Sequence, residues 1–143
     1  METAAGLMPG TPAYMPPEMA LGEPYDGQAD LYALGCVGYF LLTGRAVFEA
    51  DTPLQVIARH LHAKPAPPSE RAGAPVPPAL EQLVLGCLAK RPQDRPAGAA
   101  GLARALGAVR VPPWDETQAD EWWRAHSAAP APDRRSSSPT NGP

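Results

Sequence analysis

Lysine and cysteine are scarce in this chain, with two of each among 143 residues, and aromatic side chains make up only 6 %. No run approaches the roughly 18 uncharged apolar residues that a membrane span needs. The longest candidate, Leu31–Leu42, holds 12 residues and contains two glycines. No basic region precedes an apolar run near Met1, so no secretory signal is expected. A basic surplus is missing too. The formal net charge of −3 argues against a nucleic-acid partner, because phosphate binding needs a basic surface. Cys36 and Cys87 lie in apolar helical patterns and read as small buried hydrophobes in a reducing compartment. The expected location is cytoplasmic.

What is present in excess is alanine at 26 positions, proline at 20 and glycine at 13. Hydrophobic residues at 44 % supply enough apolar surface for a core. The prolines cluster. Residues 10–18 and 65–78 are so rich in them that each reads as an extended, rigid segment without a regular element. Between these segments the patterns are helical. A helix is expected from about Gln28–Asp30 to Thr43, with Gly44 as its stop. It is apolar on nearly every side, the mark of a central helix. Gly35 and Gly38 cost it helix propensity, so a neighbour is expected to approach the backbone there.

Asp51-Thr52-Pro53 reads as a helix start. Leu54, Ile57, Ala58 and Leu61 then form one face at i, i+3, i+4 and i+7. Pro78 opens a helix through about Ala89 with Leu80, Leu83, Val84, Cys87 and Leu88 as its stripe. A short helix follows over about 97–106. Another is expected over 115–125, with Thr117 as its cap and Asp120 three residues on. The expected class is all-α, about five helices around a buried central helix, with no strand and no repeat. Residues 108–127 form a linker and an extra helix carrying Trp114, Trp122 and Trp123. These tryptophans either fold back over apolar surface or dock a partner. Residues 128–143 read as a disordered tail. His60 and His62, two apart on a helix, do not face one ligand, so no metal site is expected.

Four separated motifs stand out. Gly10-Thr11-Pro12-Ala13-Tyr14-Met15-Pro16-Pro17-Glu18 comes first. Ala29-Asp30-Leu31-Tyr32-Ala33-Leu34-Gly35 follows, then Leu42-Thr43-Gly44-Arg45, and finally Cys87-Leu88-Ala89-Lys90-Arg91-Pro92-Gln93-Asp94-Arg95-Pro96. In this order and spacing the series resembles the C-terminal lobe of bacterial serine/threonine protein kinases. One departure is Pro16 where the family's Ala-Pro-Glu signature has alanine. The resemblance implies a partial kinase domain over residues 10–107, preceded by an activation-loop remnant at 1–9. It implies that Gly10, Thr11, Pro12 and Tyr14 shape the loop receiving the substrate residue after the phosphoacceptor. It implies a buried ion pair between Glu18 and Arg95. It also implies that Asp30, at the head of the central helix, holds the catalytic-loop backbone. The residues themselves also suggest that Asp30, beside an otherwise apolar helix, needs a partner. Thr3 is a candidate phosphosite.

Phosphoryl transfer needs a fixed set of parts, and this sequence has none of the motifs that supply them. There is no Gly-x-Gly-x-x-Gly, no Val-Ala-x-Lys, no His-Arg-Asp and no Asp-Phe-Gly. The chain is therefore expected to begin inside the activation segment, with no catalytic residue of its own. ATP and magnesium belong to the full parent kinase, whose partner is a protein substrate. Alone, the chain is expected to be inactive. The alternative is a non-catalytic helical docking module derived from a kinase lobe.

Overall fold

The computed structural model describes residues 11–127. Thr3, Gly10, the expected loop remnant and the expected tail lie outside those residues. The chain divides into two units, Met1–Arg110 and Val111–Pro143. Among the described residues there is no strand. Helices α1 (Pro17–Ala20), α2 (Gly27–Thr43), α3 (Pro53–His62), α4 (Pro78–Cys87) and α5 (Gly98–Gly107) belong to the first unit, and α6 (Glu116–His126) to the second. The all-α, kinase-C-lobe-like class read from the sequence is the class observed.

Proline builds more here than its reputation suggests. The two proline-rich segments are not wholly extended. Short 3-10 turns occupy Pro12–Tyr14 and Pro68–Glu70, a third spans Pro92–Asp94, and α1 starts at Pro17. All three turns, and helices α1, α3 and α4, carry proline at their first position. The first N–H of a helix has no intrahelical acceptor, so proline gives up nothing there, and its fixed φ suits the turn. Reading proline only as a breaker misses this.

Helix α2 is the central element. Asp26 caps it by accepting from the Gln28 backbone N–H at 2.9 Å. Gly44 ends it in the left-handed region, at φ 68°, where a side chain would be strained. Its inner side buries Leu31, Tyr32, Gly35, Cys36 and Tyr39. Tyr32, Cys36 and Tyr39 join Val47, Phe48, Val84 and Leu88 in the main core cluster. Leu31 joins Cys87 and Leu102 in a second. The burial is one-sided: Leu34, Val37, Phe40 and Leu41 face outward.

The close approach expected at the glycines is real and unequal. A Cβ on Gly35 would sit 2.7 Å from the Cβ of Cys87, whereas one on Gly38 would meet only the Val84 Cγ2 at 3.3 Å. The Cys87 Cβ is fixed to the α4 backbone and cannot swing away. We expect Gly35→Ala to destabilise the chain by about 1–2 kcal/mol, overpacking outweighing the helix gain. Gly38→Ala, against a rotatable methyl, should fall between neutral and about 1 kcal/mol stabilising. Urea midpoints of the two variants check the contrast, and equal midpoints would contradict it.

Two expected details are corrected. In α3 the inward residues are Ile57 and His60, while Leu54 is 76 % exposed and Ala58 is exposed. The apolar-only stripe passed over histidine and so was rotated around the helix. In α6 the cap is Asp115, not Thr117. Asp115 accepts from the Gln118 backbone N–H at 3.1 Å, and the Gln118 side chain accepts from the Asp115 N–H at 2.9 Å. This is the reciprocal pairing of a capping box, two residues earlier than the sequence suggested.

Candidate functional site

The first unit is tied together by one guanidinium. Arg95 follows the Pro92–Asp94 turn and is 5 % exposed, yet every direction it faces holds an acceptor. Nη1 donates to Glu18 Oε1 at 2.7 Å and Nη2 to Glu18 Oε2 at 2.8 Å. Nη1 also donates to the Gln28 carbonyl at 2.8 Å, Nε to the Ala89 carbonyl at 2.9 Å, and Nη2 to the Lys90 carbonyl at 3.3 Å. The planar fork matches the carboxylate in two parallel bonds. Its carbon lies 4.9 Å from the centre of the Tyr32 ring. Burial pushes the Glu18 carboxyl upward, but the Arg95 hydrogen bonds and charge outweigh it and hold the group below its usual range.

This clamp fixes the segment that carries the candidate loop. Glu18 lies on α1, whose first residues follow directly from the Pro12–Tyr14 turn. Met15, Pro16 and Pro17 are buried, while Thr11 stays exposed at the turn's start. The Thr11 carbonyl accepts from the Tyr14 N–H at 3.1 Å. Tyr14 leans on the main core cluster. Thr11, Tyr14, Met15, Tyr25 and Asp30 then line one cleft of about 180 Å³. The structure thus brings Thr11, Tyr14 and Asp30 to one cleft, whereas Pro12, in the same turn, and Glu18 and Arg95 are not part of its lining. Gly35 lies a turn and a half further along α2, against α4, and is not part of the cleft.

Asp30 departs from the reading of its surroundings. It is exposed at the rim and makes no hydrogen bond or ion pair among the described residues. It lies on the open side of α2, and the partner expected for it is not among the described residues.

Three residues that sequence reasoning passed over complete the support. His60 is fully buried, and its Nδ1 is 2.8 Å from the Tyr32 hydroxyl. Phe48 meets the ring edge-on at 4.9 Å. His60 Nε2 has no partner among the described residues. Burial pushes the imidazole down to about 4, Lys90 adds to this, and the Ala13 carbonyl opposes it. Lys90 stands at the end of α4 and donates to the His60 carbonyl at 2.7 Å, with its ammonium 4.7 Å from the Phe48 ring centre. It thereby caps the C-terminus of α3. Burial brings it down to about 8. Gln28 reaches from the head of α2 to the Pro96 carbonyl at 3.3 Å. A stripe reading of Val56, Ile57, His60 and Leu61 would have found the histidine.

Among the described residues no group of three His, Cys, Asp or Glu side chains converges as a metal site. The Lys90 ammonium is committed to backbone carbonyls. Cys36, buried in the core, is pushed up to about 12 by burial and is no nucleophile. No helix among the described residues is long and apolar enough to cross a membrane.

Comparison with known proteins agrees with this geometry. The model of the protein kinase domain family matches residues 3–106. Serine/threonine-protein kinase pkn3 of Myxococcus xanthus is 44 % identical over 108 residues, covering 75 % of this chain and 20 % of the relative. Serine/threonine-protein kinase Pkn1 of the same organism is 46 % identical over 106 residues, 73 % of this chain and 15 % of the relative. Serine/threonine-protein kinase PknB of Mycolicibacterium smegmatis is 44 % identical over 110 residues, 77 % of this chain and 17 % of the relative. The chain spans a fifth or less of the length of these curated relatives. The family match extends over well more than half of the chain and takes in both ends of the clamp, Glu18 and Arg95, so the chain belongs to the protein kinase family, among relatives that are bacterial serine/threonine kinases.

Proposed function

We propose that residues 10–107 form the substrate-side lobe of a bacterial-type serine/threonine protein kinase. In this reading Gly10, Thr11, Pro12 and Tyr14 receive the substrate residue after the phosphoacceptor. Asp30 orients the catalytic-loop backbone across the cleft. ATP and magnesium are held by other parts of the parent enzyme, whose substrates are cytoplasmic proteins. The observation that supports this most is the fork between Arg95 and Glu18. It holds the Pro12–Ala20 segment rigidly against α2, as a surface for positioning a peptide requires. A second reading, a non-catalytic docking module, draws on the outward apolar face of α2 at Leu34, Val37, Phe40 and Leu41.

One exchange tests both readings. Residues 3–106 replace the matching stretch of the Myxococcus xanthus relative Pkn1, and phosphorylation of a generic Ser/Thr protein substrate is measured. The chimera should turn over, and Thr11→Ala within it should lower kcat/KM about 10- to 100-fold by mispositioning the substrate. A folded chimera without turnover would favour the docking module. The 143-residue chain alone should show no ATP-dependent thermal shift.

A further inference from the structure

We propose that helix α6 is a docking surface for an arginine-rich protein segment. The second unit lies beyond the stretch matched by the kinase family and has a composition of its own. Residues 111–127 hold all three tryptophans of the chain. They also hold Asp115, Glu116, Asp120 and Glu121 against a single Arg124. That balance of −3 equals the formal net charge of the entire chain, −3, so everything else sums to zero. Negative charge and exposed indole are thus concentrated on one short element.

The side chains are free to be used. Trp114 is 67 %, Trp122 43 % and Trp123 62 % exposed, and α6 buries no residue. Asp115 is occupied as the helix cap. Glu116, Asp120 and Glu121 make no ion pair among the described residues, not even with Arg124 on the next turn. Trp122 has one face taken: His126 stacks on it at 4.2 Å with the rings 14° from parallel. Trp123 and Trp122 form a T-shaped pair, at 4.9 Å and 86°, which covers at most one face of the Trp123 ring.

Helical spacing places the open ring beside the carboxylates. Glu116, Asp120 and Trp123 follow one another at i, i+4 and i+7, on one face. Side chains on a helix lean toward its N-terminus, so the Trp123 indole lies back over the turn of Ala119 and Asp120. Ala119 is small and leaves it room. The result is an indole on the same helix face as two carboxylates that make no ion pair among the described residues. A guanidinium is the group that uses both. It stacks on an indole face while donating in its own plane to carboxylate oxygens. An ammonium gains the charge attraction but not the stacking, and an anionic or purely apolar partner gains neither. Several arginines in succession would also engage Glu121 and the Trp114 ring.

All the tryptophans lie in this segment, so intrinsic tryptophan emission of the full chain reports on it alone. The probe is a ten-residue peptide of alternating arginine and glycine, titrated at low salt, with the lysine–glycine peptide as comparison. We expect saturable quenching by the arginine peptide, at least tenfold weaker binding of the lysine peptide, and weakening as salt rises. The Glu116→Gln/Asp120→Asn double variant should bind the arginine peptide at least tenfold more weakly. Its helix content is followed by circular dichroism, and Trp123→Leu provides a second test with the carboxylates intact. Absence of saturable quenching, equal response to both peptides, or unchanged affinity in both variants would overturn the proposal. So would quenching by zwitterionic lipid vesicles in place of the peptide, which would make the tryptophans a membrane contact.

Discussion

Replacing Arg95 by alanine should destabilise the chain by about 3–5 kcal/mol, the usual cost of removing one partner from a buried ion pair. A small domain has roughly 5–15 kcal/mol in total, so the variant should be close to unfolding at physiological temperature. The size follows from what is left behind. Glu18 is 3 % exposed, and among the described residues its carboxylate has no side-chain partner but Arg95. Three backbone carbonyls, on Gln28, Ala89 and Lys90, lose a donor at the same time. The reverse change is milder. In Glu18→Ala the guanidinium keeps those three carbonyls and the Tyr32 ring, so its charge stays solvated by dipoles. Arg95→Lys should recover only part of the loss, because an ammonium cannot make the parallel fork.

The pH dependence of the Arg95 variant has a definite sign. In the native chain the Glu18 group is held below its ordinary value, so its contribution is complete above that value and lost as pH falls through the lowered one. Without Arg95, burial is the largest influence left and raises the group, and the variant relaxes by taking a proton. The gap between variant and native chain should therefore narrow as pH drops from neutral toward 4. Urea melts at three pH values would show this. A midpoint for Arg95→Ala within 1 kcal/mol of the native chain would mean the clamp contributes little.

The second large effect belongs to His60. Its imidazole is brought down to about 4 in the folded chain against an ordinary value near 6.5. For such a group the folded state prefers the neutral ring. Its contribution is complete above the unfolded value of about 6.5 and is lost as pH falls toward 4. The slope across that window is on the order of 1 kcal/mol per pH unit. Burial is the main cause, and Lys90 bonded to the His60 carbonyl adds like charge. Tyr32 and Phe48 close around the ring, and only the Ala13 carbonyl favours its charged form. His60→Gln keeps an amide to bond the Tyr32 hydroxyl and cannot titrate. Its stability should be nearly flat between pH 6.5 and 5, where the native chain's falls. Parallel curves for the two would remove His60 as the cause.

What could be read beforehand depended on whether the signal was local. Gly44 at the end of α2 and the apolar stripe of α4 follow from neighbours in the chain, and both were legible. The pairing of Glu18 with Arg95 spans 77 positions. It was legible only because each end sits in a recognisable motif. His60 had no such frame, and Lys90, though inside the Cys87–Pro96 motif, was given no role by it. A histidine counts as polar in a stripe, and a lysine after a helix counts as solvated. Only the assembled core shows that one is buried and the other caps a neighbouring helix. Asp30 was read as needing a partner, and none of the described residues supplies one. The turns in the proline segments were hidden because the same residue that ends one helix opens the next.

The reach of Arg95 also bears on the order in which the chain assembles. Its bonds to the Ala89 and Lys90 carbonyls join residues five or six apart, whereas those to Gln28 and Glu18 join residues 67 and 77 apart. The short loops close at small entropic cost, and the long ones only after α2 and α4 have brought both ends together. On loop-closure grounds we expect the guanidinium to be oriented first by its near neighbours and to engage Glu18 after the folding barrier, with a φ-value near zero for Glu18→Gln as the check. A contact formed that late leaves the folding rate nearly untouched and chiefly slows unfolding. In kinetic terms the clamp is a latch: it sets how long the finished arrangement lasts.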